Sequence, residues 1–97
     1  MQDDKFEWDD TKAAENFVKH GVTFEHARLA FADRFAVGEL DDRFDYGEDR
    51  FITTGMVQGT LVTVSYAERG PRLRIITARR AAKHEQDDYF QQNSKYP

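Results

Sequence analysis

Arg50–Arg79 reads RFITTGMVQGTLVTVSYAERGPRLRIITAR, and how this stretch is read decides the fold. Three runs within it, Arg50–Met56, Thr60–Glu68 and Arg72–Arg79, are rich in β-branched and aromatic residues, which suit a pleated, half-buried surface. Only Val57-Gln58-Gly59 and Gly70-Pro71 separate them. Links this short join antiparallel neighbours, because a parallel crossover needs about a dozen residues or more. The stretch therefore predicts a β-meander.

Working backwards, Phe35–Leu40 reads as a weaker strand, followed by an acidic loop over 41–49. Earlier still the period is helical. Asp9-Asp10-Thr11 can cap a helix from about Thr11 to His20, with Ala13, Ala14, Phe17 and Val18 as its apolar face. Gly21 suits a left-handed helix end, and Thr23 caps a second helix that runs to about Asp33 with Phe24, Ala27, Ala30 and Phe31 inward. Lys5–Trp8 is a short opening strand. After the meander, Ala81–Gln91 reads as a helix with a thin apolar face of Ala82, Tyr89 and Phe90, and 92–97 as a loose tail. The expected class is α+β, in the order β-α-α-β-β-β-β-α, with the helices on one face of an antiparallel sheet and the other face open.

A chain of 97 residues has room for one domain, with its core over about 5–91. Eight Phe, four Tyr and one Trp supply much of that core. The absence of cysteine excludes disulfides, thiolate metal sites and thiol nucleophiles. The N-terminus MQDDKFEWDD is acidic and lacks the apolar run of a signal peptide. No segment has the roughly eighteen apolar residues needed to span a bilayer. These features lead us to expect a cytoplasmic domain with no membrane attachment.

Charge is unevenly spread. The net charge is −4, yet Arg69, Arg72, Arg74, Arg79, Arg80 and Lys83 face only Glu68 between positions 66 and 84. A cationic patch within an acidic protein suits docking of a polyanion, and arginine matches phosphate oxygens in pairs. Arginines on a strand edge also protect against aggregation. Glu39, Asp41, Asp42, Asp45, Glu48 and Asp49 make the middle acidic, opposed only by Arg43.

Glu68, Arg69, Arg79 and Arg80 fall near the ends of two paired strands. Simple alternation puts Arg72, Arg74 and Arg80 on one side and Arg79 on the other. A carboxylate among guanidinium groups stays ionised; it can serve as a general base or as one half of a surface ion pair. Lys19-His20-Gly21 joins an amine and a titratable ring at a helix end, where both also complement the helix dipole. Cleavage of RNA without a metal asks for little more than such groups: a base for the 2′-hydroxyl proton, cations for the phosphorane, and an acid for the leaving oxygen. His20, His26 and His84 lack metal-ligand spacing, and no glycine-rich phosphate loop is present. No metal or cofactor is expected.

Taken in order, F-E-W-D at 6–9, Lys12, Asn16, K-H-G-V at 19–22, Phe24, F-A-D at 31–33, G-E-D-R-F at 47–51, E-R-G at 68–70 and R-I-I-T-A-R at 74–79 resemble the BrnT toxins of bacterial type II toxin–antitoxin systems. The resemblance spans roughly residues 5–90. It implies a compact RelE-like fold, metal-independent endoribonuclease activity and a BrnA-type ribbon-helix-helix antitoxin that silences the toxin in a hetero-oligomer. Operator DNA would be reached only through that antitoxin. Carried over onto this chain, it implies catalytic roles for Glu68, Arg69, Arg79 and His20, and RNA contacts by Lys12, Lys19 and Arg74. Arg72 and Arg80 join the RNA-binding set on charge alone. The alternative reading is a non-catalytic, antitoxin-binding co-repressor. Two departures stand out. His26 replaces a second glutamate, which removes reciprocal capping at a cost of about 0.5–1 kcal/mol. Gly70-Pro71 replaces the usual Gly-Asp turn.

Overall fold

A computed structural model describes residues 1–43, 45 and 47–94. The chain forms β1 (Phe6–Glu7), α1 (Asp10–His20), α2 (Phe24–Ala27) running into a 3-10 turn (Arg28–Ala32), β2 (Val37–Asp41), β3 (Arg50–Val57), β4 (Thr60–Arg69), β5 (Arg72–Arg80) and α3 (Lys83–Asn93). The expected element order holds. The acidic segment begins one residue later than expected because Asp41 closes β2, buried and bonded to Arg43 through both carboxylate oxygens. Asn93 is helical, so the tail expected from residue 92 is part of α3 up to that point, and residues 95–97 lie outside the described set.

The five strands lie in the order β1-β5-β4-β3-β2. From β2 to β5 every pairing is antiparallel, as the short turns require. The sheet as a whole is mixed, however, because β1 pairs parallel with β5 through Phe6↔Leu73 and Glu7↔Arg74. A meander fixes only neighbouring strands. Its open edge is taken by the start of the chain, which shields β5 from edge pairing.

The helices do not share one face. Val57, Val62, Val64 and Ala78 pack with Trp8, Val22, Phe24 and Ala27 in the main core. Their alternate neighbours, Met56 and Leu61, pack instead with Val37, Ala81 and Tyr89. Since successive strand residues point to opposite faces, α3 covers the face away from α1 and α2. Asp33 fastens this arrangement: its Oδ2 accepts from the Met56 N–H and the Tyr89 hydroxyl, both at 2.7 Å. Burial, followed by this bond to the Asp33 carboxylate, pushes the Tyr89 hydroxyl up to about 12. Gly55 lets the 3-10 turn sit close on β3; a Cβ there would lie 2.5 Å from the Ala30 carbonyl oxygen.

The expected second helix shortens to one α-turn and a 3-10 segment. The apolar stripe expected of α1 is also turned. Phe17 and Val18 are 52% and 86% exposed, while Asn16 is buried. The cause is an open backbone edge. β1 ends opposite Arg74, and beyond it Asn16 takes the place of a strand. Its Oδ1 accepts from the Ala78 N–H at 3.1 Å, and its Nδ2 donates to the Ala78 carbonyl at 2.8 Å and the Val22 carbonyl at 3.0 Å. Buried backbone groups left unpaired cost more than two exposed apolar side chains.

Candidate functional site

β5 does not alternate simply. Ser65 pairs with Thr77 but Tyr66 pairs with Ile75, so Ile76 is an extra residue, a β-bulge. The bulge resets the phase. Ile75 and Ala78 both enter the main core, and Arg72, Arg74, Thr77 and Arg79 all fall on the opposite face. Arg69, paired with Arg72, joins them. Contrary to simple alternation, Arg79 shares a face with Arg72 and Arg74, while Arg80 lies on the helix side beside Val62.

The arginines of this row are already engaged. Arg72 donates from Nε to the Asp3 carbonyl at 2.7 Å. Arg74 reaches Glu7 at 2.7 Å, and Arg69 reaches Glu48 at 3.0 Å. Arg79 grips Glu85 with two bonds, at 2.7 and 3.0 Å. The same carboxylate accepts from the Ala82 N–H at 2.7 Å and the Thr63 hydroxyl at 3.2 Å. Thr63 in turn bonds Thr54. Glu85 thus makes half of a capping box for α3, because Ala82 has no side-chain oxygen to reciprocate. Burial pushes the Glu85 carboxyl up, but the Arg79 bonds, the Ala82 N–H and the Arg79 charge outweigh it and hold the group below its ordinary value.

Arg80 differs. Its guanidinium is exposed and has no hydrogen-bond or ionic partner among the described residues. It lines a cleft of about 270 Å³ with Gly21, Thr23, His26 and Thr60, above buried Val22 and Val62. α1 runs alongside β5 in the same direction, with Asp9 near Arg74 and Asn16 on Ala78. Its C-terminal residues, exposed Lys19 and half-buried His20, therefore lie towards the Arg80 end. Lys12 is exposed in the first turn, at the other end of α1.

Glu68 is exposed, on the helix side of β4 opposite Leu73. Arg79 pairs with Thr63, five places along β4 and on the other face. At about 3.4 Å per residue this separates the two by roughly 17 Å along the strand. The expected set therefore divides into a hairpin end with Glu68 and Arg69, a far-face row from Arg72 to Arg79, and a cleft end with His20, Lys19 and Arg80. Among the described residues no three His, Cys, Asp or Glu side chains cluster as metal ligands would. No helix among them is long and apolar enough to cross a membrane.

Three residues carry roles in this region that the sequence did not assign to them. Glu85 had a visible signal, its position three residues after the N-cap of α3. Asn16 was visible as a polar residue interrupting an apolar helix face. His26 appeared only as a lost cap, and its place in the Arg80 cleft comes from the tertiary fold.

Residues 8–85 match a family model described as ribonuclease toxin, BrnT, of type II toxin-antitoxin system. No curated protein matches the chain.

Proposed function

The chain belongs to the BrnT family of ribonuclease toxins of type II toxin–antitoxin systems, and from that premise we propose that it cuts RNA internally without a metal, using the arginine row of β5. The observation behind this reading is the bulge at Ile76, which gathers Arg72, Arg74 and Arg79 on one face beside Arg69. A row of guanidinium groups meets successive phosphates, and its fixed donors favour the crowded phosphorane over the ground state.

In this reading the RNA 2′-oxygen attacks phosphorus as a base takes its proton. The P–O2′ bond forms, the P–O5′ bond breaks, and an acid protonates the departing 5′-oxygen. The products are a 2′,3′-cyclic phosphate and a 5′-hydroxyl. Arg79 stabilises the phosphorane together with Arg74, which the resemblance implies only as an RNA contact, while Arg72 and Arg69, the latter implied to be catalytic, hold neighbouring phosphates. Glu68 and His20, the proton carriers that the resemblance implies, lie on the helix side of the sheet and do not reach a phosphorane held by Arg74 and Arg79; Glu68→Gln and His20→Ala should therefore cut RNA at close to the parent rate. Lys12, Lys19 and Arg80 contact the flanking backbone.

A type II toxin of this family has a protein antitoxin as partner. We assign that partner to the BrnA type, a ribbon-helix-helix protein that carries the complex to operator DNA. Exposed Phe17 and Val18 on the outer face of α1 support an apolar contribution to such docking. The co-repressor reading draws on a different observation, that the arginines of the far-face row are already held by carboxylates or carbonyls of the chain itself.

Single-turnover cleavage by Arg74→Ala and Arg79→Lys decides between these readings. We expect each to fall about a hundredfold or more below the parent, with the circular dichroism spectrum unchanged. Parent-like rates in both variants overturn the role of the row.

A further inference from the structure

The far-face arginines are partnered, which leaves Arg80 as the one arginine of β5 without a hydrogen-bond or ionic partner among the described residues. Among the described residues, none that lines its cleft is acidic. The contrast within the molecule is sharp, because another surface cleft is walled by Asp41, Asp42, Asp45, Glu48 and Asp49 and repels anions.

The polar groups around Arg80 are suited to donating. The guanidinium presents a fixed fork that fits phosphate oxygens. His26 donates from at least one ring nitrogen in either charge state. Thr60 brings a hydroxyl. The Thr23 oxygen already accepts from the His26 backbone N–H at 3.1 Å, so its hydroxyl proton remains available.

The walls are also fixed before any ligand arrives. Asn16 ties the Val22 carbonyl to Ala78 on β5. Gly21 takes a left-handed φ of 71° and returns its N–H to the Phe17 carbonyl at 2.8 Å. The Ala81 N–H holds the Leu61 carbonyl at 2.9 Å, which fixes the strand end beyond Arg80. A preformed cleft loses little conformational entropy on binding.

We propose that this cleft is a phosphate-binding subsite for the RNA backbone, in which Arg80 and His26 hold one phosphodiester on the helix side of β5 while Lys19 lies along the approach. The assignment to RNA rests on the ribonuclease reading above; the anion-binding chemistry does not. A single strand seated there would pass around the end of β5, with one phosphate on each side of the Arg79–Arg80 pair.

The test is a backbone and arginine Nε NMR titration of the full chain, first with inorganic pyrophosphate and then with a 2′-deoxy oligonucleotide that binds but cannot be cut. Saturable shifts confined to Gly21, Thr23, His26, Thr60 and Arg80, absent in Arg80→Ala and weakened several-fold in His26→Ala, support the subsite. For the oligonucleotide, Arg80→Ala should lose about tenfold in affinity and flatten the salt dependence by about one phosphate contact. Shifts elsewhere, no saturation, or parent-like oligonucleotide binding by Arg80→Ala overturn it. An oligoglutamate peptide that displaces pyrophosphate at equal concentration overturns the RNA assignment in favour of an acidic protein segment. Cleavage of ordinary RNA by the parent is scored separately. Its absence with the cleft shifts intact removes the ribonuclease reading and leaves the anion site standing.

Discussion

Arg79 and Arg80 are consecutive on β5 and chemically identical, yet they belong to two regions with opposite character. Around Arg79, on the α3 side, Thr54, Thr63, Glu85 and the Ala82 N–H form a closed network in which the guanidinium already has its acid. Around Arg80, on the α1 side, donors converge on a cleft with no acid among the described residues that line it. A charge count treats both arginines alike. The difference comes from which face each side chain enters and from what the chain brings there, so a cluster of arginines in sequence is neither a binding site nor a set of ion pairs until each partner is known.

Mutations can break this contrast from either side. The largest effect is expected at the floor of the Arg80 region. Asn16→Ala leaves the Ala78 N–H and two carbonyls without their partner, and should lower stability by about 3 kcal/mol in urea denaturation. A loss under about 1 kcal/mol would mean that water replaces the carboxamide and that the cleft is not rigid. Next comes Glu85→Ala, which removes the α3 cap and strands a guanidinium about one-third exposed. About 1–3 kcal/mol is expected, reduced from the fully buried case by solvent screening. Arg79→Ala should cost a similar amount, so the effect of that truncation on activity must be read beside its stability.

Acid separates the regions further. Glu85 and Asp33 both have carboxyls held below their ordinary values. For Asp33 burial opposes the shift, and the Met56 N–H, the Tyr89 hydroxyl and the Phe35 N–H overcome it. A depressed folded value means that the unfolded chain binds protons first, so stability is complete above the unfolded value and falls as pH drops through the folded one. Parent stability should therefore decline below about pH 4.5, and Glu85→Gln should decline less steeply. Equal slopes would show that Glu85 is not clamped. The smallest stability effect belongs to Arg80→Ala, within about 0.5 kcal/mol of the parent, because no intramolecular partner is lost. A larger loss would sink the claim that Arg80 is free.

Much of the fold was legible because turns and strand runs are local. The two short links over 57–59 and 70–71 fixed the meander, and the Gly21 helix end held, with φ at 71°. What failed was non-local. Nothing near Phe6 states that it will meet Leu73, and the thin face of α3 does not reveal which side of the sheet it covers. The bulge left a trace in Ile75-Ile76, two apolar residues in succession that break the alternation, but a double isoleucine also fits an ordinary buried strand. Phe17 and Val18 misled because apolar spacing outvoted one asparagine, although that asparagine answers to an unpaired strand edge. The candidate residues were legible by type and not by place: Glu68 and Arg79 each fall near the end of a strand, but antiparallel pairing sets them five positions apart and on opposite faces of the sheet.

The most direct measurement is incubation of the purified, antitoxin-free chain with RNA in excess EDTA, with the product ends identified. We expect internal cuts leaving 2′,3′-cyclic phosphate and 5′-hydroxyl ends at a rate that EDTA does not change. A well-folded chain that leaves the RNA whole, or that cuts only when a divalent metal is restored, contradicts it.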